Sequence, residues 1–287
     1  MKKIGLALTT IVFGILMMVA CTDDNGTTNF AEGNGKVNVY LTDAPFPIGL
    51  VSQTIVTIDK VEIRKQENDT TGASFITIME EPFEIDLLSL SNGITEQLAS
   101  IELEAGSYDM MRMHVTDSKV ILTDGTEFDL KIPSGSSSGL KIKIEPALTI
   151  ESGQTSDVLL DFDVSKSFVA KGNWKGGDIK GFNFKPVVRC VLLDRAGRIV
   201  GSVSDTASVL LPNSAVNLWT EVNDIEEDSL ITTAFTNEMG EYLLIGIPEG
   251  TYYMIAEQDS FLTDTIWNVD VLKGESTQID FMLTPEP

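Results

Sequence analysis

From Lys36 onward the chain alternates apolar and polar residues with a period of two. Val37, Val39 and Leu41 stand against Asn38, Tyr40 and Thr42, and Leu140, Ile142 and Ile144 against Lys141, Lys143 and Glu145. Successive side chains of a strand point to opposite faces, so each run predicts a strand with one wet face. Between Val56 and Ile63 the apolar phase slips from Val56 and Ile58 to Val61 and Ile63, which predicts a β-bulge near Asp59-Lys60. Turn residues such as Asp124-Gly125 and Gly240 punctuate the strands at short intervals, and only the short stretch from Ile94 to Ile101 reads as helical. Many short strands separated by turns predict an all-β protein built of sandwiches rather than a parallel sheet.

Two parts of this strand-rich stretch echo one another. Gly106-Ser107-Tyr108-Asp109-Met110 recurs as Gly250-Thr251-Tyr252-Tyr253-Met254, each after an acidic turn and each opening an apolar strand. In the same order, Gly153 with Val158, Leu160 and Phe162 is matched by Gly274 with Ile279, Phe281 and Leu283. Both halves are therefore expected to share a sandwich-like strand logic; convergent turn chemistry produces such echoes too, so common descent stays open. The first half spaces its echoes further apart, leaving room for an additional hairpin around Ile132 to Leu140. A turn cluster at Asp194-Arg195-Ala196-Gly197 ends a long strand and marks a junction. Two tandem β-sandwich domains of Ig-like or transthyretin-like type are expected, over 36–194 and 195–287, each large enough for its own core.

The first twenty residues follow different rules. Lys2 and Lys3 precede a stretch from Ile4 to Ala20 that is apolar except for Thr9 and Thr10, and the polar run Thr22-Asp23-Asp24-Asn25 follows. This is a secretory signal pattern, slightly short for a membrane span. Met18-Val19-Ala20-Cys21 resembles the bacterial lipobox, with Met18 in place of the usual leucine, which implies cleavage after residue 20 and a lipid on Cys21; a signal peptide with an incidental cysteine is the competing reading. Residues 21–35 are too polar to fold alone and read as a flexible stalk; Thr22 to Gly35 would reach about 45 Å if extended. Asp23-Asp24 resembles the acidic signal that some Gram-negative bacteria use to export lipoproteins to the cell surface. With Cys21 acylated, Cys190 is the one thiol left, so no internal disulfide can form and the core must supply the stability. Cys190 falls on an alternating face with Phe182, Phe184, Pro186, Val188 and Leu192, where it reads as a small buried hydrophobe.

The formal net charge is -23, and losing Lys2 and Lys3 with the leader lowers it by two, to -25. Nucleic acid is thereby excluded as a natural partner. The acidity is read as a solvated surface on which divalent cations condense loosely, without a designed site.

Two family resemblances span the body. Residues 36 to 192 resemble a family of bacterial lipoprotein domains known only as domain of unknown function 4382. Val39-Tyr40-Leu41-Thr42-Asp43-Ala44-Pro45, Val61-Glu62-Ile63, Gly106-Ser107-Tyr108, Ile132-Pro133-Ser134-Gly135, Gly139-Leu140-Lys141, Leu160-Asp161-Phe162-Asp163 and Lys185-Pro186-Val187 carry the likeness. It implies an envelope protein of β-sandwich type and brings no activity. Gly197 to Leu283 resembles the carboxypeptidase regulatory-like domains, through Gly201-Ser202-Val203, Pro212-Asn213-Ser214-Ala215-Val216, Thr236-Asn237-Glu238-Met239-Gly240-Glu241-Tyr242 and Ile247-Pro248-Glu249-Gly250-Thr251-Tyr252. This implies a transthyretin-like seven-strand sandwich, usually an accessory part of larger surface proteins.

Candidate chemistry is sparse. His114 is the only histidine, with no cysteine or second histidine to complete a zinc set and no nucleophile-elbow pattern beside it, so it reads as a tolerated strand residue. Asp161 and Asp163 alternate with Leu160, Phe162 and Val164, which predicts both on the wet face of one strand. A calcium loop of alternating oxygen ligands closed by glycine is absent. For sugar recognition, which uses an aromatic face flanked by polar side chains, Trp174 in Gly172-Asn173-Trp174-Lys175-Gly176-Gly177 is the first candidate and Trp219 the second. Packing against the neighbouring domain or plugging a sandwich end is the alternative for both.

Together these readings predict a non-enzymatic lipoprotein of the outer membrane, anchored through Cys21, exposed at the cell surface, and holding no metal or cofactor. Adhesion or glycan binding is its leading expected role. A structural subunit that docks onto another envelope protein is the second reading, and a glycoside hydrolase or esterase, for which no coherent motif is present, the third.

Overall fold

A computed structural model describes residues 33–44, 49–66, 75–132, 138–173, 177–220 and 229–287. Cys21, Asp23, Asp24, Trp174 and the turn of the hairpin expected around Ile132 to Leu140 lie outside the described residues. The first region contains β1 (Asn34–Ala44), β2 (Val51–Lys65), β3 (Phe75–Met79), β4 (Phe83–Asp86), β5 (Glu96–Glu104), β6 (Gly106–Leu122), β7 (Glu127–Asp129), β8 (Leu140–Ile150), β9 (Thr155–Asp163), β10 (Phe168–Asn173), β11 (Asp178–Phe184) and β12 (Val188–Leu192). The second contains β13 (Ala196–Asp205), β14 (Ala215–Thr220), β15 (Ser229–Phe235), β16 (Glu241–Pro248), β17 (Gly250–Glu257), β18 (Phe261–Leu262), β19 (Asp264–Val271), β20 (Ser276–Gln278) and β21 (Phe281–Pro285).

The protein is all-β, with two sandwich-like regions. In the first, the sheet β12-β9-β1-β5 faces β3-β2-β6-β7, on which β4 and β8 also pair; in the second, β16-β13-β21-β18, with β20 on β13, faces β15-β14-β17-β19. Alternation sends Val37, Val39 and Leu41 of β1 against Val61 and Ile63 of β2, Met111 and Met113 of β6 and Phe162 of β9, all fully buried. Ile199, Val203, Val216, Leu218, Met254 and Leu283 do the same in the second region. Among the described residues, both cores are drawn from positions between Val37 and Leu283.

The sequence echoes have a common geometry. Tyr108 donates its hydroxyl to the Glu104 carbonyl at 2.9 Å, and Tyr252 to the Pro248 carbonyl at 2.8 Å, each four residues upstream, in the manner of a tyrosine corner. The second echo lies where the first strand of each region meets a late strand in parallel: β1 pairs with β9, and β13 with β20 and β21. Gly153 donates to the Asn34 carbonyl and Lys36 to that of Gln154; Gly274 donates to Ala196 and Arg198 to Glu275 in the same pattern. Between the bonded residues stand Gly35 and Gly197, where a methyl group would collide with the carbonyl oxygens of Glu151 and Gln154, or of Leu272 and Glu275. Three antiparallel pairs also correspond: β1 with β5 as β13 with β16, β2 with β6 as β14 with β17, and β6 with β8 as β17 with β19.

The bulge expected at Asp59-Lys60 is present, since the β2–β6 register shifts between Ile58 and Lys60. Three other expectations are corrected. The stretch from Ile94 to Ile101 is not helical: Glu96 to Glu104 is a strand on β1, and the register skips Leu98 between Gln97 and Ala99. That extra residue spaces Ile94, Leu98 and Ile101 as a helix would. Asp161 and Asp163 do not lie on a wet face, because the second region covers it; Asp161 is buried against Arg189, and Asp163 accepts from the Lys166 N–H at 2.9 Å, capping the single helical turn Val164–Ser167. Phe182 to Leu192 is two strands in different sheets, broken at Pro186, although Cys190 does pack beside the first core. Burial pushes its thiol up to about 12, where it is inert at physiological pH.

Replacing either corner tyrosine by phenylalanine removes one hydrogen bond. Tyr108→Phe is expected to cost about 1 kcal/mol, because the residue is fully buried, and Tyr252→Phe less, because water can reach the freed carbonyl. Urea unfolding of both variants checks the order; equal costs would refute the account.

Candidate functional site

The outer face of β14, β17 and β19 carries a row of three aromatic rings. Val216 and Leu218 point into the core, leaving Trp219 on the opposite face, as its phase predicts. Trp219 pairs with Tyr253 across the sheet. On the next strand, Trp267 and Asn268 together stand opposite Tyr253, because the ladder steps from Tyr252 on Val269 to Met254 on Ile266. Asn268 absorbs this bulge at φ 56°, a left-handed conformation that asparagine adopts more readily than most residues. Trp267 stacks on Tyr253 with ring centroids 4.6 Å apart at 26°, and Trp219 lies on the other side at 6.3 Å and 11°. The closer spacing is that of neighbouring strands, about 4.8 Å, so the rings stand upright on the sheet.

Tyr253 is thereby buried between two indoles, while Trp267 on the edge strand remains 55% exposed, one face on Tyr253 and the other open. The register sets Thr265 on one side of it and Asp270 on the other, the latter accepting from the Thr251 hydroxyl at 2.7 Å. Trp219 Nε1 is buried without a hydrogen-bond partner among the described residues. An open indole face beside hydroxyl and carboxylate groups can pack on the apolar C–H face of a sugar ring and bond its hydroxyls.

Trp267 was missed by the sequence reasoning. In Asp264-Thr265-Ile266-Trp267-Asn268-Val269 the bulge breaks the alternation, so adjacent Ile266 and Trp267 conceal which of them faces outward. By period two Trp267 shares the phase of Val269 and Val271, so alternation alone would turn it inward, and only the bulge beside Asn268 sends it outward. Charge sets the context: residues 199–287 hold sixteen carboxylates against one basic side chain, Lys273.

A family profile described as domain of unknown function, DUF4382, matches residues 34–186, more than half of the chain. The chain belongs to the DUF4382 family. No curated protein matches it. Among solved structures it is similar to the shaft pilin SpaA from Lactobacillus rhamnosus GG, at 11% identity and TM-score 0.27 over 90% of this chain and 99% of that one. It is also similar to the Bacillus anthracis TIE protein, at 12% identity and TM-score 0.26 over 88% of this chain and 34% of that one. Chlorocatechol 1,2-dioxygenase from Pseudomonas putida shares 10% identity at TM-score 0.25 over 32% of this chain and 61% of that one, so less than two thirds of that protein is spanned. Scores this low carry no statement about activity, ligand or assembly.

Within this DUF4382 domain, Asp43 and Asp161 are buried where the two regions meet. Asp43 Oδ1 accepts from the Val164 N–H at 3.2 Å, while Oδ2 has no partner among the described residues. Burial, and secondarily the charge of Asp161, hold the Asp43 carboxyl well above the usual range. Burial raises Asp161 as well, opposed by Arg189, whose Nη2 is 2.6 Å from Asp161 Oδ2. The gap that both residues line, with Asn92, Thr232 and Thr233, holds about 20 Å³, too little for a sugar ring. His114, on the outer side of β6, contacts Glu62 at 3.0 Å; Lys60 and Arg112 also pair with that carboxylate, at 2.9 and 3.3 Å. Burial pushes Glu62 up, but the hydrogen bonds from Lys60 and His114 outweigh it and hold it below its ordinary value. Among the described residues no group of three or more His, Cys, Asp or Glu could hold a metal ion.

Folded Asp43 keeps its proton to higher pH than the unfolded chain does. The native state therefore loses stability as pH rises from about 4 through the raised value, and stays at that lower level above it. Asp43→Asn removes the ionisation; its melting temperature is expected to exceed that of the wild type at pH 8, with the difference vanishing towards pH 4. A difference independent of pH would refute this.

Proposed function

We propose that the protein is a non-catalytic module of the cell envelope, tethered by a lipid on Cys21 and presented at the cell surface, that captures uncharged glycans on the Trp219, Tyr253 and Trp267 row. The open indole face of Trp267 is the observation that carries this reading. A large aromatic held more than half exposed on a rigid strand, with its ring orientation fixed by stacking, loses little conformational entropy when a sugar packs on it. The anionic surroundings disfavour acidic sugars and leave neutral ones unopposed. The resemblance of the second region to carboxypeptidase regulatory-like modules supports an accessory, non-enzymatic role. The signal pattern, the lipobox and Asp23-Asp24 support export and anchoring.

The chain from Gly33 onward, screened on a glycan array, is expected to bind neutral glycans and to avoid uronate- and sialate-bearing ones. Trp267→Ala is expected to weaken binding roughly ten-fold or more while the melting temperature stays within a few degrees. Binding unchanged in this variant, or confined to acidic glycans, would overturn the reading. Palmitate labelling of the full chain is expected to disappear in Cys21→Ser, and label that survives the substitution would refute the anchor.

A further inference from the structure

The second sandwich has another unoccupied face, opposite the aromatic row. On the outer side of β16-β13-β21-β18, five large apolar side chains form a strip. Ser204 of β13 pairs with Met282 of β21 on one side and bridges to Leu210 on the other. Leu262 of β18 sits opposite Thr284, the next outward residue of β21 after Met282. Met239 and Val209 close the far end, in the turn beside Leu210; Gly240 lies so close to Leu210 that a methyl there would come within 2.9 Å of its Cβ. Exposure is 59% at Met239 and Met282, 57% at Val209, 49% at Leu262 and 47% at Leu210. Scattered apolar residues are ordinary on a surface, whereas Leu210, Met282 and Leu262 are linked through adjacent strand pairs, with Val209 and Met239 exposed in the flanking turns.

The strip runs into a groove of about 500 Å³ on the same face. Ser202, Glu241, Gln278 and Asp280 line its floor, and Asn92 of the first region forms a wall. Asp280 is fixed by the Ser202 N–H and hydroxyl at 2.8 and 2.9 Å and by the Gln278 amide, while the Glu241 carboxylate accepts a long bond from the Asn237 amide at 3.4 Å. Apolar strip and acidic groove are continuous, since Met282 follows Asp280 outward along the same chain segment and Met239 precedes Glu241.

We propose that this face docks a protein segment of amphipathic, basic character, with apolar side chains on Leu210 and Met282 and a lysine or arginine in the groove between Glu241 and Asp280. Charge complementarity selects this occupant. With sixteen carboxylates and one lysine from residue 199 onward, a second copy of the chain or an anionic lipid surface would be repelled.

Two probes test this on the chain from Gly33: a fourteen-residue leucine/lysine amphipathic peptide and its leucine/glutamate counterpart, followed by calorimetry at low and high salt. The basic peptide is expected to bind, weakening with salt, and the acidic one not to bind. Leu210→Ser combined with Met282→Ser, which leaves the charge unchanged, and separately Glu241→Gln, should each weaken binding at least five-fold. Peptide binding that ignores the double substitution would reflect net charge alone and overturn the proposal, as would no binding at all. Self-association in sedimentation experiments, or vesicle binding, lost in the same double variant would assign the face to a second copy or to lipid instead. Trp267→Ala serves as the control that leaves peptide binding unchanged and so separates this proposal from glycan capture.

Discussion

Strand β9 is buried from both sides, and much of the arrangement depends on that. Its inward residues Val158, Leu160 and Phe162 belong to the first core, while Leu159 on the opposite face packs with Val191, Ala196 and Ile245 as the second region lies down on it. The approach is close. At Gly246, with φ 65°, a methyl group would come within 2.7 Å of Leu159 Cδ2, so any side chain there would strain the backbone and displace that leucine. Asn92 accepts from the Leu243 N–H at 3.0 Å and Lys166 reaches the Leu230 carbonyl at 3.4 Å, tying the same seam with directional bonds. Burying a strand on both faces desolvates whatever its sequence carries there, which is why Asp161 requires Arg189 and why the carboxyl of Asp43 nearby is raised above its ordinary range.

The seam also determines which surfaces remain available. It uses the part of β16 nearest the first region and leaves the far part of that sheet, with Leu210 and Met282, uncovered. The sheet β15-β14-β17-β19 keeps its aromatic row free. Two surfaces of different character therefore stand on opposite sides of one small sandwich, a row of upright rings and an apolar strip beside acids. Dense negative charge around both keeps exposed hydrophobic groups from driving self-association, since like charges oppose contact between copies.

Much of the fold was legible because strands broadcast their inward faces. Val37, Val39 and Leu41, Ile142 and Ile144, and Val216 and Leu218 all point where their alternation says, and the bulge at Asp59 announces itself as a slip of phase. The paired Gly-x-Tyr motifs were visible as repeats, although their meaning, a hydroxyl donated four residues back, required coordinates. Legibility failed where an irregularity imitated something else. The bulge at Leu98 gave a strand the spacing of a helix, and the bulge at Asn268 hid the aromatic residue that completes the row. Trp219 was found because its strand is regular on the inward side, whereas Trp267 sits where the period breaks.

What the sequence alone determined, then, is local and periodic: which residues face inward, where turns fall, that two similar halves follow one another, and that the chain is strongly acidic. What only the tertiary structure decided is everything that depends on a second element covering the first. Asp161 reads as solvated from its strand, and it becomes buried only because another sandwich arrives on that face. Tyr253, Trp219 and Trp267 are far apart in the chain, and they become one row only through strand pairing. Alternation along a strand records which side is apolar, but it carries no information about what will cover the other side, because that is set by contacts between residues distant in sequence.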